Sequence, residues 1–138
     1  MSLKILVLDD EPVSLQIAVR ALSVLRHDVQ GCGDPSQARE RLRQTSFDII
    51  VLDLQMPGID GVDMLRWVRG HLPFMRVITM TAGAPVSMLL ECWRLGADGC
   101  VLKGETFIPR LQEAVRAAEG ALELWERSVQ AVRRSARV

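Results

Sequence analysis

Short apolar runs that do not alternate, separated by amphipathic stretches of helical length, constrain this chain more than any other feature. Leu3 to Leu8, Phe47 to Leu52, Arg76 to Met80 and Cys100 to Leu102 are continuous and β-rich, the pattern of strands covered on both faces. Val29 to Cys32 is a weaker run, expected at a sheet edge. A strand hidden on both sides needs helices above and below it. Alternation with helices of about 10 to 15 residues calls for right-handed crossovers between parallel strands. Pro12, Pro35 and Pro85 each suit a first helical position, where a missing N–H matters little. Asp60 suits the cap of a third helix carrying Val62, Leu65 and Val68 at helical spacing. The expectation is a three-layer α/β sandwich on a five-stranded parallel sheet. At 138 residues and 49% hydrophobic content, one domain can bury it.

Charge and cysteine usage narrow the function classes. Seventeen basic residues balance seventeen acidic ones, so no global field draws the chain to nucleic acid or an anionic membrane. Cys32, Cys92 and Cys100 are odd in number and widely spaced, as expected of reduced thiols in a cytoplasmic protein. His27 and His71 lack partners at zinc-ligand spacing. The first apolar run, about six residues long, falls far short of the roughly twenty that span a bilayer, and no targeting segment is expected.

Beyond the carboxyl ends of the strands, an open α/β sheet presents its polar side chains to ligands. Asp9 and Asp10 follow the first strand, Asp53 the third, Thr81 the fourth and Lys103 the fifth. Any one of these alone would be an ordinary charge at a strand end. Together they place three carboxylates at one rim, where like charges raise one another's pKa unless a cation compensates. An all-oxygen donor set with room for water and phosphate suits Mg²⁺. With Lys103 and the Thr81 hydroxyl beside it, Asp53 stands where a carboxylate nucleophile would meet phosphorus in line.

"LVLDDEP", "DIIVLDLQMPGIDG", "VITMTAG" and "GADGCVLK", in this order and spacing, resemble the receiver domain of bacterial two-component response regulators, over roughly residues 3 to 118. The resemblance implies a flavodoxin-like fold of strand order 2-1-3-4-5, residues 119 to 138 forming a helical extension. It implies that Asp53 accepts phosphate from a sensor histidine kinase or a histidine phosphotransfer protein. It also implies that Asp10 and Asp53 bind Mg²⁺ directly, with Asp9 acting through water and the Gln55 backbone carbonyl adding a ligand. Thr81 and Lys103 would then contact the phosphoryl group, approached past the small Ala82. Such a protein is a phosphoacceptor rather than an enzyme acting on a separate substrate.

Two residues depart from the family pattern. Gly104 follows Lys103 where the family has proline in a cis peptide. A cis bond before a non-proline residue costs roughly 2.5 to 4 kcal/mol, which favours a trans bond and a rebuilt loop. Cys100 stands where an aromatic reporter is usual. These departures keep one alternative open, a receiver-like interaction module that takes no phosphate. A haloacid-dehalogenase-type phosphohydrolase would need an Asp where Gln55 stands. A flavin carrier would need a phosphate loop after the first strand.

Two further segments point to output. On the fourth helix Val86, Met88, Leu89, Leu90, Cys92, Trp93 and Leu95 cover an arc of about 220°, wider than one sheet face needs. The excess either packs beneath neighbouring helices or meets a partner. Trp67 is expected in core or flank packing. Ile108, Leu111, Val115, Ala118, Leu122, Trp125, Val129 and Val132 recur at alternating intervals of 3 and 4, a heptad seam. Up to Ala118 the seam can seat a fifth helix on the sheet. From Leu122 onward it needs another surface, and Gly120 offers a bend where the domain ends. A homodimer through the fourth helix and Leu122, Trp125, Val129 and Val132 is the candidate assembly. The alternative is a connection to a further output domain. Arg133, Arg134 and Arg137 have no reading element beside them, so direct DNA contact is not expected.

Overall fold

The computed structural model describes residues 1–137. The chain runs β1 (Lys4–Leu8), α1 (Pro12–Ser23), β2 (Asp28–Cys32), α2 (Pro35–Gln44), β3 (Ile49–Asp53), β4 (Gln55–Met56), β5 (Ile59–Asp60), α3 (Gly61–His71), β6 (Arg76–Thr81), α4 (Val86–Arg94), β7 (Gly99–Leu102) and α5 (Phe107–Ala136). Strands β2-β1-β3-β6-β7 form one parallel sheet, which is order 2-1-3-4-5 when only its own members are counted. The weak strand β2 lies at the edge, as its composition implies. Two apolar clusters fill the layers. One packs Leu6, Leu8, Ile50 and Leu52 against α2 and α3, and the other packs Ile5, Val7, Val51 and Met80 against α1 and α5.

Helix starts follow local chemistry. Pro12 and Pro35 are first helical residues, capped by the side chains of Glu11 and Asp34. Asp60 Oδ1 accepts the Val62 N–H at 2.9 Å. Pro85 differs from expectation by one residue: it is itself the cap of α4, and that helix begins without a side-chain cap bond. The short antiparallel ribbon β4-β5 was not legible from apolar runs. Its turn uses Gly58 at φ +73°, where L side chains are strained. At Gly61 an added Cβ would fall 2.5 Å from the Leu54 Cα, so the entry to α3 tolerates no side chain there.

The C-terminal helix departs from expectation in three places. Ile108 is 45% exposed, and its neighbour Phe107 fills the core instead, ahead of buried Leu111, Val115 and Ala118. Leu122 still packs on the sheet-side cluster, so the domain's grip extends one turn past Ala118. Gly120 does not interrupt the helix, which is continuous through Ala136. At the end of the domain Glu119 lies 3.3 Å from His27 Nε2, while His27 Nδ1 accepts the Leu3 N–H at 3.0 Å. This pins α5 to the start of the sheet.

Arg69 braces the opposite side. Its guanidinium donates to the carbonyls of Leu95, Pro73, Met75 and Gly96 at 2.8 to 3.1 Å. Among the described residues no carboxylate shares those bonds, and desolvation holds its pKa below the ordinary value. Trp67 flanks the core as expected, with its ring stacked on His71 at 4.5 Å.

Candidate functional site

The parallel ladder assembles the site. Leu8 pairs with Leu52, Asp53 with Met80, and Thr81 with Leu102, so the strand ends terminate side by side. Asp9 follows β1 directly and is fully buried, Asp53 closes β3 and is nearly so, and Asp10 is exposed. Carboxylate oxygens of all three lie within 4.8 Å of one another.

Lys103 is the resident counter-charge. Its Nζ donates to Asp9 Oδ2 at 2.7 Å and to Asp53 Oδ2 at 3.2 Å. No described peptide bond is cis, so the Lys103–Gly104 bond is trans, and the lysine still reaches both acids. The reason is that the ladder runs one step beyond β7, the Lys103 N–H donating to the Thr81 carbonyl at 2.8 Å. The lysine backbone is therefore fixed before the chain reaches Gly104.

The three charges divide unequally. Burial pushes the Asp9 carboxyl up, but the Lys103 hydrogen bond, the Glu11 N–H and the lysine charge outweigh it and hold it below its ordinary value. Burial raises the Asp53 carboxyl, the Gln55 N–H and Lys103 offset part of that, and the Asp9 charge adds to the rise. Lys103 is opposed by desolvation, yet the two carboxylates lift its pKa above the ordinary value. Of the two buried carboxylates Asp53 is thus the less stabilised as an anion and the one that would gain from a further cation.

Thr81 is buried at the same rim, but its hydroxyl turns into its own loop, accepting the Gly83 N–H at 3.1 Å. Among the described residues it makes no hydrogen bond to Asp53 or Lys103. Sequence reasoning assigned Gln55 only a backbone carbonyl and missed its side chain. The Gln55 Oε1 accepts the Ala82 N–H at 3.1 Å, and its Nε2 donates to the Gly83 carbonyl. The one available signal was an amide two residues after Asp53, but nothing local says that it reaches across to the β6–α4 loop.

The donor set fits Mg²⁺. Every candidate ligand is a hard oxygen, and the exposed Asp10 leaves one side open to water.

The response regulator receiver domain family matches residues 5–116. A nitrate/nitrite response regulator protein homolog of Haemophilus influenzae is 30% identical over 125 residues, covering 88% of this chain and 60% of that protein. A probable transcriptional regulatory protein, TcrX of Mycobacterium tuberculosis, is 31% identical over 115 residues, covering 81% of this chain and 49% of its own length. The chain thus spans only about half of these relatives. Among solved structures, response regulator TrrA of Thermotoga maritima, in complex with Mg²⁺ and beryllium fluoride, superposes with a TM-score of 0.75 at 27% identity, covering 86% of this chain and 99% of that one.

Proposed function

The chain belongs to the response regulator receiver domain family, and from that membership we propose that it is a phosphoacceptor switch of a two-component phosphorelay, with Asp53 as the acceptor. The observation that carries this reading is Lys103 Nζ bridging Asp9 and Asp53 beside the exposed Asp10. It leaves Asp53 positioned, desolvated and held by a partly exposed cation.

In the transfer, an Asp53 oxygen attacks phosphorus in line, the P–N bond of a phosphohistidine breaks, and the imidazole leaves with the bonding pair. Asp9, Asp10, Asp53 and the Gln55 carbonyl are the residues that would hold Mg²⁺, which neutralises phosphoryl oxygens when bound. Lys103 orients the new phosphoryl group through its ammonium, and the Thr81 hydroxyl, which accepts the Gly83 N–H, turns its own proton towards it. Phosphorylation brings about −1.5 to −2 of charge and new acceptor oxygens. That draws Thr81 and its loop inward and biases the packing of α4, β7 and α5. The exposed apolar residues Val86, Leu90 and Trp93 on α4, with Leu102 on β7, form the face that would carry the output. The α4 arc thus divides: Cys92 is buried, while Met88, Leu89 and Leu95 pack partly against the core.

The proposed donor is a sensor histidine kinase or phosphotransfer protein, and the proposed place of action is the cytoplasm. No described helix is long and apolar enough to cross a membrane. The chain turns over no separate substrate and touches DNA only through whatever it joins. Intact-protein mass after incubation with acetyl phosphate and Mg²⁺ tests the reading, beside Asp53→Asn and an EDTA control. One phosphoryl group, dependent on Mg²⁺ and absent from the variant, is expected. A folded protein that takes none would favour the phosphate-independent interaction module.

A further inference from the structure

The apolar seam continues past the domain onto an open groove. Pro73, Phe74 and Met75 of the α3–β6 loop form one wall, and Leu122, Trp125 and Val129 of α5 form the other, around a cavity of about 620 Å³. Phe74 is 93% exposed and Trp125 64% exposed, and Val132, the next seam residue along, is 69% exposed. Large exposed apolar groups at helical spacing beside an open groove mark a helix-docking surface. We propose that the occupant is a second copy of this chain, its α5 lying antiparallel to the first, with its C-terminal turns in the groove beside Phe74.

Side-chain size favours this orientation. In heptad register Leu122 and Val129 take a positions, Trp125 and Val132 take d, and Ala136 takes the next a. An antiparallel pair sets a against d. Trp125 then faces Ala136 of the second copy and Val129 faces Val132, each contact repeated across the twofold axis. The largest seam residue meets the smallest, as interdigitating layers require. A parallel pair in register would set Trp125 against Trp125 in one d layer.

Charge points the same way. The e positions flanking the exposed seam are Glu126 and Arg133, and the g positions are Ser128 and Ser135. Antiparallel helices bring e beside e, so Glu126 of each copy meets Arg133 of the other, twice per dimer. Parallel helices bring g beside e, and serine or alanine would then face every charge. Crossing near residues 130 and 131 also keeps the two domains at opposite ends of the helix pair. Four aromatic side chains, Phe74 and Trp125 from each copy, would supply on the order of 600 Å². Stable specific interfaces bury roughly 1,200–2,000 Å² in total and transient ones less, so a dimer resting mainly on these rings is expected to be weak and reversible.

Sedimentation equilibrium of the full chain, without phosphodonor, tests the proposal separately from the chemistry at Asp53. A monomer–dimer equilibrium is expected at tens of micromolar, and Val132→Asp, far from the folded core, should abolish it with the circular dichroism unchanged. Glu126→Arg and Arg133→Glu should each weaken association several-fold, and the two together should restore it. A chain that stays monomeric at millimolar concentration overturns the proposal. So does a dimer that ignores both charge reversals, which would be parallel, or one lost in Trp93→Ala but kept in Val132→Asp, which would use α4.

Discussion

Gln55 and Ala82, 27 residues apart, are joined by a hydrogen bond from the Ala82 N–H to the Gln55 side-chain oxygen at 3.1 Å. With the second bond to the Gly83 carbonyl, one amide closes the loop above Asp53 in both directions. Gln55→Ala should lower stability by about 0.5–1 kcal/mol, the low end of the net worth of ordinary hydrogen bonds because the site is exposed. It should also speed amide exchange at Ala82, measured by NMR. Unchanged exchange there would mean that the amide does not hold the loop.

Removal of Lys103 should expose the cost of the site. Lys103→Ala leaves buried Asp9 and Asp53 facing each other without a cation. Breaking a buried pair costs roughly 3–5 kcal/mol. The lysine is partly exposed, so a loss of about 1–3 kcal/mol in urea denaturation at pH 7 is expected.

The pH dependence follows from the two opposed aspartates. Asp9, held below its ordinary pKa, contributes stability that is present above the unfolded value of about 3.8 and is lost as pH falls through its lower folded value. Asp53 is raised, so the folded protein binds its proton more tightly than the unfolded chain does, and its contribution falls as pH rises through the folded value. At neutral pH Asp53 is therefore a net burden. Asp53→Asn should raise the melting temperature at pH 7, and the gain should shrink as the solution is acidified and Asp53 of the wild type takes up its proton.

Mg²⁺ should reverse that burden. Saturation to a hundred times the dissociation constant stabilises a folded protein by about 2.7 kcal/mol. Millimolar Mg²⁺ should raise the wild-type melting temperature, and Asp10→Asn should blunt the rise. An equal shift in wild type and variant would place the ion elsewhere.

The fold was legible because burial on both faces is written into each strand as an unbroken apolar run. The clustering of Asp9, Asp10, Asp53 and Lys103 was legible because charged residues end three strands of the sheet and the Thr81 hydroxyl ends a fourth. What escaped were contacts made by side chains across the tertiary structure. Phe107 rather than Ile108 fills the core, a one-residue rotation that heptad counting cannot distinguish when both residues are large and apolar. Leu122 is held by a domain that the motif pattern had already ended. The aim of Lys103 depended on one extra ladder bond, which no residue identity encodes.

Arg69 gives α4 two unequal ends. At its C-terminal side the guanidinium ties Leu95 and Gly96 to the loop before β6, while at its start Pro85 offers no side-chain cap. The helix is thereby anchored near Gly96, while its start beside Thr81 follows a loop that the Gln55 amide holds. Release of that amide would leave α4 to pivot about Gly96. A small pull at the loop becomes a larger sweep of Val86 and Leu90 than of Trp93, so the apolar face of α4 would turn rather than slide.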